Sequence, residues 1–146
     1  LKPKTHAKVA LMHHVPAHIA AAGLYVGLLI LMSIVLQFLV IRLRRRKLIG
    51  IGDGQDKDLA RAIRVHGNFT ESVPFGMAGL IMLALIDAQA VLIHGVGLLL
   101  LAGRIVHAVG LSRSAGKSAG RVAGMLMTVC ALGLSALALI AAALWR

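Results

Sequence analysis

Four stretches of the chain are apolar for long enough to cross a membrane, and what separates them is short and polar or basic. A helix needs about 20 largely apolar residues to span some 30 Å of hydrocarbon. Residues 19–41, 62–86, 90–110 and 122–144 meet that length, the second with a polar first half. The pattern predicts an all-α integral membrane protein: one four-transmembrane-helix antiparallel bundle over residues 1–146. Gln37 is the one strongly polar side chain within the first span, and it is expected to pack inside the bundle. Small residues recur in the later spans, at Gly95, Gly97, Gly103, Gly120, Gly124, Ala131, Ser135 and Ala138. They allow close helix contact in lipid.

The connections are unequal. Residues 42–59 carry Arg42, Arg44, Arg45, Arg46, Lys47 and Lys57 around a turn-rich centre, Gly50-Ile51-Gly52-Asp53-Gly54. Residues 112–120 carry Arg113 and Lys117. Two spans separate these basic loops, so they share a side, and the excess of Lys and Arg places that side in the cytoplasm. Lys2, Lys4 and Lys8 oppose this weakly. Asp87, in the short turn between spans two and three, is expected to be a helix cap or a solvated outward acid. Residues 1–18 are a polar segment. Its His6, His13, His14 and His18 form no metal site by spacing, because neighbouring side chains on a helix point apart and no Cys or carboxylate joins them. Pro16 and the histidines also argue against a cleavable signal peptide.

Composition closes off the soluble alternatives. Hydrophobic residues make up 59% and charged residues 14%, against about 45–50% and 25% in soluble domains. A soluble domain of 146 residues lacks the interior to hide so many aliphatic side chains. The net charge of +11 sits mainly at the ends of apolar runs, which points to membrane lipids as partners and away from nucleic acid. Cys130, alone in the chain, reads as a small buried filler.

The second span carries the chemistry. On a helix, Arg61, Arg64, Asn68 and Glu71 fall within an arc of about 80°, while His66 points elsewhere. Arg64 and Glu71 are about 10 Å apart along the axis. That rise predicts that they do not touch directly and that Asn68 links them. An ionised Glu facing lipid at this depth is costly, so Glu71 faces protein or a wet cavity. A structural polar network and a functional site both fit this stripe. Pro74 removes a backbone donor and predicts a kink just beyond Glu71.

Span three returns polar groups to the same depth. Sixteen residues separate Glu71 from Asp87, and fifteen separate Gln89 from Arg104. Arg104 is therefore the expected ionic partner of Glu71, within one subunit or across two. His107 lies one turn further on, and Arg121 opens span four. Cations outnumber acids heavily in this set, and unpaired buried charge is costly. The excess predicts an anionic ligand. A small peptide-like dianion with an ammonium suits it, its carboxylates on arginines and its ammonium on Glu71. Phosphate or a lipid headgroup competes. The Gly50–Gly54 turn lacks the lysine and the strand-to-helix setting of a nucleotide loop. No Ser, Thr or Cys has an adjacent base, so a nucleophile would arrive with the ligand. An arginine can steady a thiolate brought in that way.

With these residues assembled, the chain resembles the MAPEG family, the membrane-associated proteins in eicosanoid and glutathione metabolism, and within it the small bacterial inner-membrane members. The resemblance rests on the basic end of span one, the Gly50–Gly54 turn and the run Arg61-Ala62-Ile63-Arg64-Val65-His66-Gly67-Asn68-Phe69-Thr70-Glu71-Ser72-Val73-Pro74. It continues through Gly103-Arg104-Ile105-Val106-His107-Ala108-Val109-Gly110-Leu111 and Arg121-Val122-Ala123-Gly124-Met125-Leu126-Met127-Thr128. It runs from about Tyr25 to the C-terminus.

The resemblance implies a homotrimer with glutathione, as cosubstrate or ligand, bound between neighbouring subunits. Arg64, Asn68 and Glu71 match the residues that hold glutathione, and Arg104 matches an arginine of span three. Arg121 matches, more loosely, the arginine beside the thiol and is the candidate catalytic residue. Arg61 and His107 complete the candidate binding set. The function implied is a membrane transferase joining the glutathione thiol to small hydrophobic electrophiles that enter from the bilayer, with peroxidase activity as a companion. The chain departs from eukaryotic members that carry tyrosines on span three and after the acid: here stand His107, Leu111 and Ser72. Tyr25, the only tyrosine, lies near the other end of span one. The alternative is therefore a non-catalytic membrane protein that binds a lipid or another anion, or acts as a scaffold. A transporter is disfavoured because one four-helix unit shows no inverted repeat.

Overall fold

The computed structural model describes residues 15–113 and 118–145. His6, His13, His14 and Lys117, together with the three lysines near the N-terminus, lie outside the described residues. Four helices follow one another: α1 (Ala17–Lys47), α2 (Lys57–Leu85), α3 (Ala90–Arg113) and α4 (Ala119–Leu144). All four are long and apolar enough to cross a membrane.

Helix α1 starts behind Pro16, whose carbonyl accepts from Ala20 N at 2.9 Å. It outruns its apolar stretch and ends in four consecutive basic residues, Arg44 to Lys47. Those cations complement the carbonyl end of the helix, and Arg and Lys are good helix formers, so the helix continues beyond the point where hydropathy falls. The joint between α1 and α2 is correspondingly shorter than the expected 42–59. Leu48 turns left-handed at φ 56°. The Arg44 guanidinium then donates to the carbonyls of Ile49, Gly50 and Gly52 at 3.4, 3.2 and 2.9 Å. Gly52 and Gly54 take φ values of +68° and +56°, which glycine adopts without steric cost.

Asp56 closes the joint. Its carboxylate caps α2 by accepting from Asp58 N at 3.0 Å and Leu59 N at 2.9 Å, and it pairs with Lys47. The Lys47 ammonium, helped by the Leu59 amide, holds the Asp56 carboxyl below its usual value of 3.8. A depressed carboxyl stabilises the fold above its unfolded pKa, and that contribution disappears as pH falls through the folded pKa. Acidification below about pH 4 is thus expected to loosen the joint. Hydrogen exchange at the Asp58 and Leu59 amides reads this out. Asp56→Asn, which keeps a capping oxygen but does not titrate, should flatten the acid dependence. Equal acid dependence in both proteins would remove Asp56 as the cause.

Pro74 does not end α2, which remains helical to Leu85. In the turn that follows, Asp87 takes φ 56°, its amide and that of Ala88 donating to Ala84 O and Leu83 O. The Asp87 carboxylate is exposed and lies 3.1 Å from His18 Nε2. This contact ties the start of α1 to the α2–α3 turn. One turn further into the bundle, Tyr25 Oη and His94 Nδ1 lie 3.2 Å apart.

Helices α2 and α3 form the centre. Each touches α1, α4 and the other, while α1 and α4 make no contact among the described residues. The core runs through Leu29, Phe69, Val73, Leu80, Leu83, Ile93, Val96 and Leu100. Two expectations of burial fail here. On α1 the buried seam passes through Ala22, Tyr25, Leu29 and Leu36, and Gln37 is exposed. On α4 the seam is Gly124, Thr128, Ala131 and Ser135, and Cys130 is exposed. In both cases the residue stands one position from the seam, a rotation of about 100° that hydropathy does not register.

Several small residues of spans three and four are used inside the subunit, whereas Gly95 has nothing within 4 Å of its Cβ position. A Cβ on Gly124 would stand 2.5 Å from His107 N, and one on Gly110 would stand 2.8 Å from Arg121 N. Gly103 meets α4 with similar closeness, and Gly79 of α2 faces Ser135. Backbone-level approach between α3 and α4 fixes where His107 stands relative to Arg121.

Candidate functional site

At the basic-loop end, α2, α3 and α4 surround a cavity of about 390 Å³ lined by Arg64, Asn68, His107, Ser118, Arg121, Val122, Met125 and Leu126. A second cavity of about 340 Å³ shares Arg64 and Arg121 and adds Lys57, Ala60, Arg61 and Leu111. Four of the seven residues singled out in the sequence thus border one space, and Arg61 borders its neighbour. Helix α2 supplies Arg61, Arg64 and Asn68 from one face. Helix α4 supplies Arg121 from its first turn, where Ser118 caps the helix by accepting from Arg121 N at 3.3 Å. Ser118 Oγ also donates to Gly110 O at 3.3 Å, which ties the cap to α3.

The charges are arranged differently from the expectation. Arg64 reaches Glu71 directly, Nη1 to Oε1 at 3.7 Å. The axial rise between them is spanned by the length of the arginine side chain, and Asn68 does not mediate. Asn68 Nδ2 instead donates to its own helix at Arg64 O, 3.2 Å away. Both members of the Arg64–Glu71 pair are exposed in the subunit, at 66% and 62%, although Glu71 lies within an apolar span. Arg61 is held by Asp58 one turn nearer the loop, Nη2 to Oδ1 at 2.5 Å.

Arg104 is a second correction. Within the subunit it makes no ion pair with Glu71, and it does not line the cavity. Its side chain is 1% exposed and lies over the Phe69 ring at 6.0 Å. Nη1 donates to Thr128 Oγ1 at 3.5 Å, and Nη2 lies 3.4 Å from His107 Nδ1. Equal depth was read correctly to the extent that Arg104 meets Phe69, two residues before Glu71. Direction was not, because Arg104 points into the α2–α3–α4 core and Glu71 points out of the subunit.

Sequence reasoning missed Ser118, Arg44 and Thr128. Ser118 carried a signal, since a Ser three residues ahead of Arg121 at a helix start is a cap pattern. Arg44 stands among several loop cations in the sequence, yet it lines a cavity of about 450 Å³ with Arg64, Gly67 and Asp53. Nothing in the pattern separated Thr128 from any other hydroxyl in a span.

A family model for the MAPEG family matches residues 22–141. The chain belongs to the MAPEG family. It is 35% identical over 117 residues to the inner membrane protein YecN of Escherichia coli K12, covering 80% of this chain and 88% of that one. YecN of Escherichia coli O6:H1 strain CFT073 matches to the same extent. No solved structure matches the chain. Four apolar helices together with the inner-membrane relatives make this MAPEG chain a multi-pass protein of the bacterial inner membrane. Family membership makes it a member of a membrane family of glutathione and eicosanoid metabolism.

Proposed function

We propose that this MAPEG protein binds glutathione in the Arg64–Arg121 cavity and joins its thiol to small hydrophobic electrophiles. The observation that carries the reading is the lining itself: two arginines, a histidine, an asparagine and a serine around about 390 Å³, within the range of small-ligand sites. Arginines suit carboxylates through their paired donors. Arg61, Arg64 and Arg121 would take the tripeptide's two carboxylates and its sulfur, and Glu71 its ammonium. In the transfer, the thiol gives up its proton, sulfur bonds to the electrophilic carbon and the leaving group departs. Arg121 faces the developing negative charge on sulfur. Apolar electrophiles concentrate in the bilayer and reach the cavity past Val122, Met125 and Leu126.

The proposal includes assembly as a homotrimer. An exposed Arg64–Glu71 pair in a membrane span is expensive against lipid, and a neighbouring copy of the chain would cover it. It also includes the orientation in which both basic loops face the cytoplasm, where glutathione can enter.

Calorimetry on the lipid-reconstituted protein, followed by conjugation with an activated aryl halide, tests the reading. Binding and turnover in a trimer by mass measurement are expected. Absence of binding at millimolar glutathione in the folded protein removes the reading, as does a reporter fusion at Gly54 that lies outside the cytoplasm. Binding without turnover supports the second reading, a non-catalytic anion-binding protein. One observation favours that second reading: Tyr25, which could have assisted thiolate formation, is committed to His94 at the opposite end of the bundle.

A further inference from the structure

We propose that Arg104 is a positioning residue: it holds His107 in the tautomer with the proton on Nε2, so that His107 offers the cavity a hydrogen-bond donor and not a base. The consequence for ligand choice rests on the reading of the cavity as a glutathione site, whereas the tautomer does not.

The polarity follows atom by atom. Thr128 has one hydroxyl proton, and it goes to Gly124 O at 2.8 Å. Its oxygen therefore accepts from Arg104 Nη1. A guanidinium has donors only, so the contact between Arg104 Nη2 and His107 Nδ1 requires a bare, accepting Nδ1. A neutral imidazole with Nδ1 bare carries its proton on Nε2. Among the described residues, the one buried side-chain nitrogen or oxygen with no partner is Arg104 Nε. His107 is 3% exposed and lines the cavity; with Nδ1 turned to Arg104 in the core, Nε2 is the ring nitrogen left for the cavity side.

A buried guanidinium with no carboxylate within ion-pair distance is costly. A leucine in its place would pack against Phe69 with no such penalty. What Arg104 adds is direction: a fixed hydrogen-bond polarity running from the core to the cavity wall. With Nε2–H on α3 and Arg64 and Arg121 on the flanking helices, this end of the cavity selects an acceptor, a carboxylate or an anionic sulfur. An ammonium is disfavoured there.

The test is nitrogen NMR of the ring in protein labelled with ¹⁵N-histidine and held in lipid nanodiscs without ligand. The seven histidines are resolved by difference against His107→Gln. Wild-type His107 is expected as the Nε2–H tautomer. Arg104→Leu, which removes the donor and retains bulk, should shift His107 towards Nδ1–H. Arg104→Lys, which keeps a donor, should preserve the wild-type signature. A wild-type His107 that carries its proton on Nδ1 overturns the proposal even if the leucine variant does not fold, and so does an unchanged tautomer in a folded Arg104→Leu protein. Glutathione added to the same samples is expected to move the Nε2 signal and to bind about 10-fold more weakly to Arg104→Leu, the loss of one charge-assisted hydrogen bond. The stated tautomer with no glutathione binding upholds the positioning role and overturns only the glutathione reading.

Discussion

Arg121→Ala is expected to slow thiol conjugation by about 10²-fold, the usual consequence of removing one preorganised donor from a site of developing negative charge, with the helices intact. The geometry separates the side chain from the fold. What starts α4 is the Ser118 cap on the Arg121 backbone amide, and alanine keeps that amide. The guanidinium borders both cavities of the site, and its loss removes the charge aimed at sulfur. Glutathione affinity is expected to fall less than the rate, because Arg61 and Arg64 remain for the carboxylates. Arg121→Lys keeps the charge but not the fork, and should recover part of the rate. The measurement is the conjugation rate at saturating glutathione, with ultraviolet absorbance reporting the bound thiolate. Turnover in Arg121→Ala equal to that of the unaltered protein would retire Arg121 as the residue that steadies sulfur, and leave Arg64 and His107 as candidates in the same lining.

The membrane bundle was legible because hydropathy is a sum over about 20 residues, and no local error erases it. Helix ends were less legible. Charge marks where the membrane stops, but α1 continues through four basic residues that are good helix formers, and α2 begins at Lys57 behind an Asp cap. The candidate site was legible as a set, because helical spacing and antiparallel depth are both arithmetic. Its pairings were not. Arg64 spans two turns to meet Glu71 because an arginine side chain is long, and axial rise alone does not express that reach. Arg104 turned away from Glu71 because the rotation of α3 is set by packing, above all by its close approach to α4 at Gly103 and Gly124. Gln37 and Cys130 show the same limit: depth in a span can be counted from sequence, but rotation about the helix axis is decided by neighbours.

That dependence of the site on close helix approach gives the second large effect. Gly124→Ala is expected to destabilise the bundle by about 1–3 kcal/mol, the range for forcing an extra methyl group into a filled core. The added Cβ would meet His107 N at 2.5 Å, Gly103 O at 2.6 Å and His107 Cα at 2.7 Å. All three are backbone atoms of α3, so no side chain can swing aside and the two helices must part. Gly133→Ala is the matched control on the same helix. Nothing lies within 4 Å of its Cβ, and the gain in helix propensity is at most about 1 kcal/mol. Denaturant unfolding in mixed micelles should separate the two variants clearly, with Gly133→Ala at or above the parent. Equal stability of the two would mean that α3 and α4 do not approach at backbone distance. Because the clash falls on His107 itself, Gly124→Ala should also weaken glutathione binding in the fraction that remains folded. Parting α3 from α4 moves His107 away from Arg121 and draws Thr128 away from Arg104, so the same methyl group that loosens the bundle also breaks the line of donors that faces the cavity.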